Sequence, residues 1–139
     1  MSYLFVYGTL QRNGPLHHAL QNHSTQFIHK TATSFICLLQ TVNFYPMMFP
    51  IFECTDFPDI DEKYKGFVKG EVYTTNYNVL RNLDKIEGTP NLFKRIVKHT
   101  YLPNSSHPIN GYYYVGNTKN LNPKNLLLPN KNSFHNWEN

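Results

Sequence analysis

The spacing of apolar and polar residues changes along the chain, and each change marks an element. Residues 3–7, YLFVY, form an apolar run of strand-forming side chains that stops at Gly8, which predicts a buried strand running into a turn. After QRNG, Pro15 opens LHHALQ, where Leu16 and Leu20 share a face and a short helix is expected. Residues 27–39 mix Thr and Ser with Ile, Phe and Cys in a partly alternating pattern, which fits one or two strands. Between 43 and 65, Pro46, Pro50 and Pro58 exclude a long helix and leave extended segments and turns rich in aromatics, of the kind that walls a pocket.

The second half is more regular. GFVKGEVYTT at 66–75 alternates around Phe67, Val68, Val72 and Tyr73 and reads as a strand. A helix follows: Asn76 is its cap, Val79, Leu80, Leu83 and Ile86 form one apolar face, and Gly88 closes it, so Glu87 stands at its end. Strands are predicted over 93–102 and 111–115, separated by the turn-forming PNSSHP. From about 116 the chain is Asn-rich with little periodicity and reads as a loose wrap over a single domain spanning 1–139. Trp137 is expected to anchor that wrap.

Composition narrows the function classes. Ten Phe and ten Tyr provide the bulk for one compact interior. The net charge of +4 comes from 13 Lys and Arg scattered singly, not gathered as a nucleic-acid groove requires, so no nucleic-acid partner is expected. Neighbouring residues of Tyr112-Tyr113-Tyr114 point to opposite faces of a strand, so this run is core and pocket wall, not a base-stacking platform. Cys37 and Cys54 have neither zinc nor disulfide-scaffold spacing and read as buried, reduced thiols. His17, His23 and His29, six apart, would scatter around a helix and not gather on a metal. No segment approaches the ~20 apolar residues of a membrane helix and no leader is evident, so a cytoplasmic protein with no membrane partner is expected.

Two places suggest chemistry. At Tyr7-Gly8-Thr9-Leu10 a buried strand ends abruptly, and Gly8 allows backbone N–H groups to converge on a carboxylate or an oxyanion; a glycine after a strand also serves as an ordinary turn. Glu87 in LDKIEG meets the unfavourable end of a helix dipole beside an apolar face, where partial burial raises a carboxyl toward the range of a general base. A solvated helix-end glutamate is the plainer alternative. Lys85 is two residues away on the helix and does not face Glu87, so it has no catalytic role.

Taken together, LFVYGTLQRNGPLHHAL and, far downstream, GEVYTTNYNVLRNLDKIEGTPNLFKR resemble the gamma-glutamylamine cyclotransferases and their wider AIG2-like superfamily. The shared elements are YGTL, then G-E-V-Y, a helix, L-D-x-x-E-G-x-P, an aromatic and an arginine, here Phe93 and Arg95, with Tyr45-Pro46 a weaker match between them. The resemblance implies an α+β fold, a mixed and roughly six-stranded β-barrel with helices packed outside, and a pocket between the YGTL loop and the glutamate-bearing helix. It also implies that backbone amides of Tyr7, Gly8, Thr9 and Leu10 hold the substrate's carboxylate end, that Glu87 is the catalytic acid–base residue, and that the Tyr45 hydroxyl is a further candidate donor. The implied reaction attacks a gamma-glutamyl amide with its own alpha-amine, releasing 5-oxoproline and a free amine such as lysine from gamma-glutamyl-epsilon-lysine; it needs no metal or cofactor. The partner is thus a small-molecule gamma-glutamyl amine, and a monomer is expected. The family often has Tyr where this chain has Phe93, so a hydroxyl contact there is missing. Other gamma-glutamyl amides, or ligand binding without turnover, are the alternatives.

Overall fold

β1, Ser2–Val6, runs through the middle of the sheet, and the alternation of its side chains sets the layers. The computed structural model describes residues 1–139, the side chain of Val42 excepted. After β1 come β2 (Gln26–Ala32), β3 (Cys37–Val42), β4 (Tyr45–Pro50), β5 (Phe67–Thr75), the helix α1 (Tyr77–Ile86), β6 (Phe93–Thr100), β7 (Ile109–Gly116) and β8 (Phe134–His135). The main sheet has the order β2-β5-β1-β7-β6, with β8 added beside the start of β5. β1 lies antiparallel to β5 and parallel to β7. Leu4 and Val6 join the core under Val79, Leu80 and Leu83 of α1, while Phe5 and Tyr7 join a second core with Leu39 and Met48 of the β3–β4 hairpin.

The class is mixed α+β, as expected, but the sheet does not close into a barrel. β3 and β4 hydrogen-bond to each other, and β3 meets the residue just before β5 at an isolated bridge, where Cys37 and Gly66 exchange bonds of 2.8 and 3.0 Å. Pro46 and Pro50 remove two donors from β4, which prevents it from continuing a ladder on its other side. The hairpin therefore completes the core by packing, and one α-helix, not several, covers the outer face among the described residues.

The expected helix after Pro15 is a 3₁₀ turn, His17–Ala19. Its cause is local: from Gln11 to Gln21 the chain makes a succession of i to i−3 bonds, and the Leu16 N–H is taken by the Thr9 carbonyl at 3.0 Å. The 27–39 region divides into β2 and β3, and the proline-rich stretch holds β4 followed by 3₁₀ turns. α1 begins as its sequence predicts, with the Asn76 side chain accepting from the Val79 N–H at 2.9 Å, and it ends at Gly88 with φ +63°.

The segment after Gly116 is pinned where the sequence suggests a loose wrap. Buried Gln40 uses both ends of its amide on it, accepting from the Asn122 N–H and donating to the Asn120 carbonyl. The Leu127 N–H bonds to the Leu39 carbonyl, and β8 pairs parallel to β5. These partners are distant in sequence, so no local periodicity announces them.

The β3–β4 turn carries local strain. Asn43 and Phe44 both have positive φ, 49° and 75°, and the Phe44 side chain is 94% exposed. An aromatic in this conformation gains no packing that offsets the backbone cost. Phe44→Gly is expected to stabilise the protein by about 1 kcal/mol, read as an upward shift of a few degrees in a thermal melt; an unchanged or lower melting temperature would contradict the strain.

Candidate functional site

Where β1 ends, the Tyr7 ring turns into the core. Its hydroxyl donates to the Tyr114 carbonyl at 2.8 Å and accepts from the Met48 N–H at 3.0 Å, and burial holds its pKa well above the ordinary tyrosine range. The Tyr7 side chain is thereby committed to joining β4 with β7. Gly8 follows because the chain passes directly over Pro46: a Cβ on Gly8 would stand 2.6 Å from the Pro46 Cγ. The next residues turn, with the Gln11 N–H bonded to the Gly8 carbonyl at 3.1 Å. The amides of Gly8, Thr9 and Leu10 donate to no partner among the described residues.

Opposite this turn stands Glu87, the residue that caps α1. Its N–H still bonds to the Leu83 carbonyl, and its own carbonyl accepts from the Phe93 N–H. Gly88 then turns the chain so that Leu92 and Phe93 come back beside the helix end. Between the turn and the helix end lies a cavity of about 160 Å³. Tyr7, Gly8, Thr9, Leu10, Tyr45 and Glu87, the residues singled out from sequence, all line it. Tyr45 leans on Phe93, their ring centres 6.1 Å apart.

The electrostatics of this cavity depend on a neighbouring network that the sequence reading did not identify. Asp84, one turn before Glu87, accepts from the Tyr114 hydroxyl at 2.7 Å and from Arg95 through Nε at 3.0 Å and Nη2 at 3.1 Å. This two-pronged pairing occupies the arginine. Among the described residues Glu87 has no ion-pair partner, and burial alone pushes its carboxyl up to about 7. Asp84 and Arg95 both lie within the quoted motif, so the signal was present; their pairing was not, because Tyr114 lies on another strand. Leu16, Ile86 and Leu92, also unassigned to the site from sequence, add apolar side chains to the lining.

Among the described residues no three His, Cys, Asp or Glu side chains gather as a metal site, and no helix is long and apolar enough to cross a membrane.

The family model described as gamma-glutamyl cyclotransferase, AIG2-like, matches residues 4–138. The chain is similar in structure to an AIG2-like protein from Mus musculus, with a TM-score of 0.71 and 24% identity over 97% of this chain and 88% of that one. It is also similar to a protein from Pyrococcus horikoshii, TM-score 0.59, 18% identity, covering 84% and 78% of the two chains. A third likeness is to a protein from Arabidopsis thaliana, TM-score 0.58, 21% identity, covering 98% and 76%. At these identities the structural likeness is one of fold. None of the curated proteins compared with the chain is a match.

The raised carboxyl has a measurable consequence. The folded protein holds the Glu87 proton more tightly than the unfolded chain does, so ionisation opposes folding as pH rises from the ordinary value of 4.5 to about 7. Over that window the wild type is expected to lose on the order of 2 kcal/mol relative to Glu87→Gln. Denaturant melts of both proteins across the window measure the difference, and a gap that does not widen with pH would show that Glu87 is solvated.

Proposed function

The chain belongs to the AIG2-like gamma-glutamyl cyclotransferase family, and we propose that it is a gamma-glutamylamine cyclotransferase, with Glu87 moving the proton and the turn after β1 binding the reacting group. The observation that carries this reading is the pairing across one cavity of an unneutralised carboxyl, raised to about 7, with a turn whose amides are free.

The reaction needs little else. The substrate's alpha-nitrogen attacks its own gamma-carbonyl, forming the C–N bond of a five-membered ring, and the bond to the departing amine breaks. Orientation supplies much of the acceleration in such an intramolecular attack, with effective molarities of ~10⁵ M or more. Ionised Glu87 takes a proton from the alpha-ammonium and returns one to the leaving nitrogen; a carboxyl near 7 does both at neutral pH. The free amides of Gly8, Thr9 and Leu10 are donors for the substrate carboxylate and for negative charge developing on the carbonyl oxygen. Tyr45 also lines the cavity, and its hydroxyl is a further candidate donor.

The partly exposed apolar side chains of Leu16, Ile86 and Leu92 support the amine branch over gamma-glutamyl amino acids. An alkyl stem leaving across them keeps its burial. A carboxylate on the carbon next to the scissile nitrogen would instead be desolvated in a cavity whose lining already holds the Glu87 carboxylate and no cationic side chain.

The test is release of 5-oxoproline from gamma-glutamyl-epsilon-lysine, gamma-glutamyl-alanine and glutathione by wild type and Glu87→Gln. The lysine compound is expected to react best. The variant should be slower by ~10²-fold or more, and wild-type kcat/KM should rise with pH to a plateau above about 7, as Glu87 ionises. Equal activity in the variant would remove Glu87 from the chemistry, and no release from any compound would favour a ligand-binding module. A cation at the rim should shift the preference: Ile86→Arg is expected to raise kcat/KM for gamma-glutamyl-alanine relative to the lysine compound by roughly tenfold, the order of one charge pair near the surface. An unchanged ratio would place the leaving amine elsewhere.

A further inference from the structure

The turn after β1 has two sides. Tyr7, Gly8, Thr9 and Leu10 line the cavity, whereas Gln11, Arg12 and Asn13 line a separate groove behind it, together with Glu71 and the chain's last four residues, 136–139. On that rear side the carbonyls are held. The Gln11 side-chain nitrogen donates to the Tyr7 carbonyl at 2.9 Å and, more distantly, to those of Gly8 at 3.3 Å and Trp137 at 3.4 Å. The Asn139 side chain adds a bond to the Gly8 carbonyl at 3.0 Å. All three of Gln11's neighbours are acceptors, so its amide nitrogen, not its oxygen, must face them.

In a trans peptide the C=O and the following N–H point in opposite directions. Fixing the Tyr7 and Gly8 carbonyls rearward therefore fixes the Gly8 and Thr9 amides forward. Gln11 is itself held by its neighbour: the Arg12 N–H and Nε bond to the two oxygens of Glu71 at 2.9 and 3.2 Å, and the guanidinium lies 4.0 Å over the Phe27 ring. Glu71 is 5% exposed and also accepts from the Tyr73 hydroxyl at 3.0 Å, so the anchor is a buried carboxylate in the central sheet.

We propose that Gln11 is a positioning residue, which, braced by the Arg12–Glu71 pair and assisted by Asn139, pre-orients the Gly8 and Thr9 amides toward the cavity. The functional part of this proposal rests on the reading of those amides as substrate donors. The C-terminal segment thus acts on the site from behind, without touching substrate.

The experiment compares wild type, Gln11→Glu, Gln11→Lys and Asn139→Ala. Gln11→Glu keeps the size and replaces the donor with acceptors; Gln11→Lys keeps a donor. Three quantities are read: kcat and KM for the best gamma-glutamyl amine, the melting temperature, and the ¹H–¹⁵N heteronuclear NOE of Gly8 and Thr9. Gln11→Glu is expected to lower kcat on the order of 100-fold, the scale of a lost oxyanion donor. Its Gly8 and Thr9 NOEs should fall while it remains folded. Gln11→Lys should stay near wild type in both, and Asn139→Ala, which removes one of two side-chain donors to Gly8, should show a smaller loss in each. Unchanged NOEs in Gln11→Glu, or an equal loss in Gln11→Lys, would overturn the clasp. If the wild type itself releases no 5-oxoproline, the reading of the reaction fails, and the NOE comparison still decides whether Gln11 orders the turn.

Discussion

The phenolic oxygen of Tyr7 joins the two hydrogen-bonded parts of the molecule. The main sheet and the β3–β4 hairpin share little backbone pairing, yet this oxygen donates into β7 and accepts from β4 in the buried space between them. Each such bond contributes about 1 kcal/mol, but stranding the Met48 N–H or the Tyr114 carbonyl would cost ~1–3 kcal/mol more. The larger effect is geometric. With the ring held inward, the backbone after Tyr7 must pass over Pro46, and only a residue without a Cβ fits there. The position of the turn, and with it one wall of the cavity, follows from a side chain whose hydroxyl is spent on β4 and β7.

Charge near the site is arranged by pairing. Both arginines close to it are occupied, Arg95 by Asp84 and Arg12 by Glu71, and each also lies over an aromatic ring, Tyr112 for Arg95 and Phe27 for Arg12. Neither is free to neutralise Glu87. The consequence is a carboxyl whose proton affinity is set by lost hydration alone, which is the direction a group that both takes and gives a proton requires. Had Arg95 faced Glu87, the carboxyl would have been held ionised and made a poor acid. The Tyr114 hydroxyl, by bonding to Asp84, helps to hold that partner away.

Much of this was legible in the chain. The apolar run before Gly8 determined a buried strand, and Asn76, the Val79-Leu80-Leu83 face and Gly88 determined a helix with both ends marked, so Glu87 was known to stand at a helix terminus beside apolar residues. These are local matters: period, capping and the freedom of glycine act within a few residues. The YGTL and LDKIEG motifs named both walls of the cavity for the same reason, since each wall is a single short segment. Tyr7 is the instructive case, because the sequence placed it at the site for its backbone amide while the structure commits its hydroxyl to the Tyr114 carbonyl and the Met48 N–H.

What tertiary structure alone decided is everything that depends on residues far apart in sequence. The sheet stays open because β4, with two missing donors, pairs only with β3. The Asn-rich end is ordered because Gln40, Leu39 and β5 present partners that no local pattern reveals. The same holds for the site's electrostatics. The sequence by itself determined which residues carry a charge, but burial and pairing are properties of the packed chain, and they decide whether Glu87 is an ordinary surface acid or a carboxyl that titrates near neutrality.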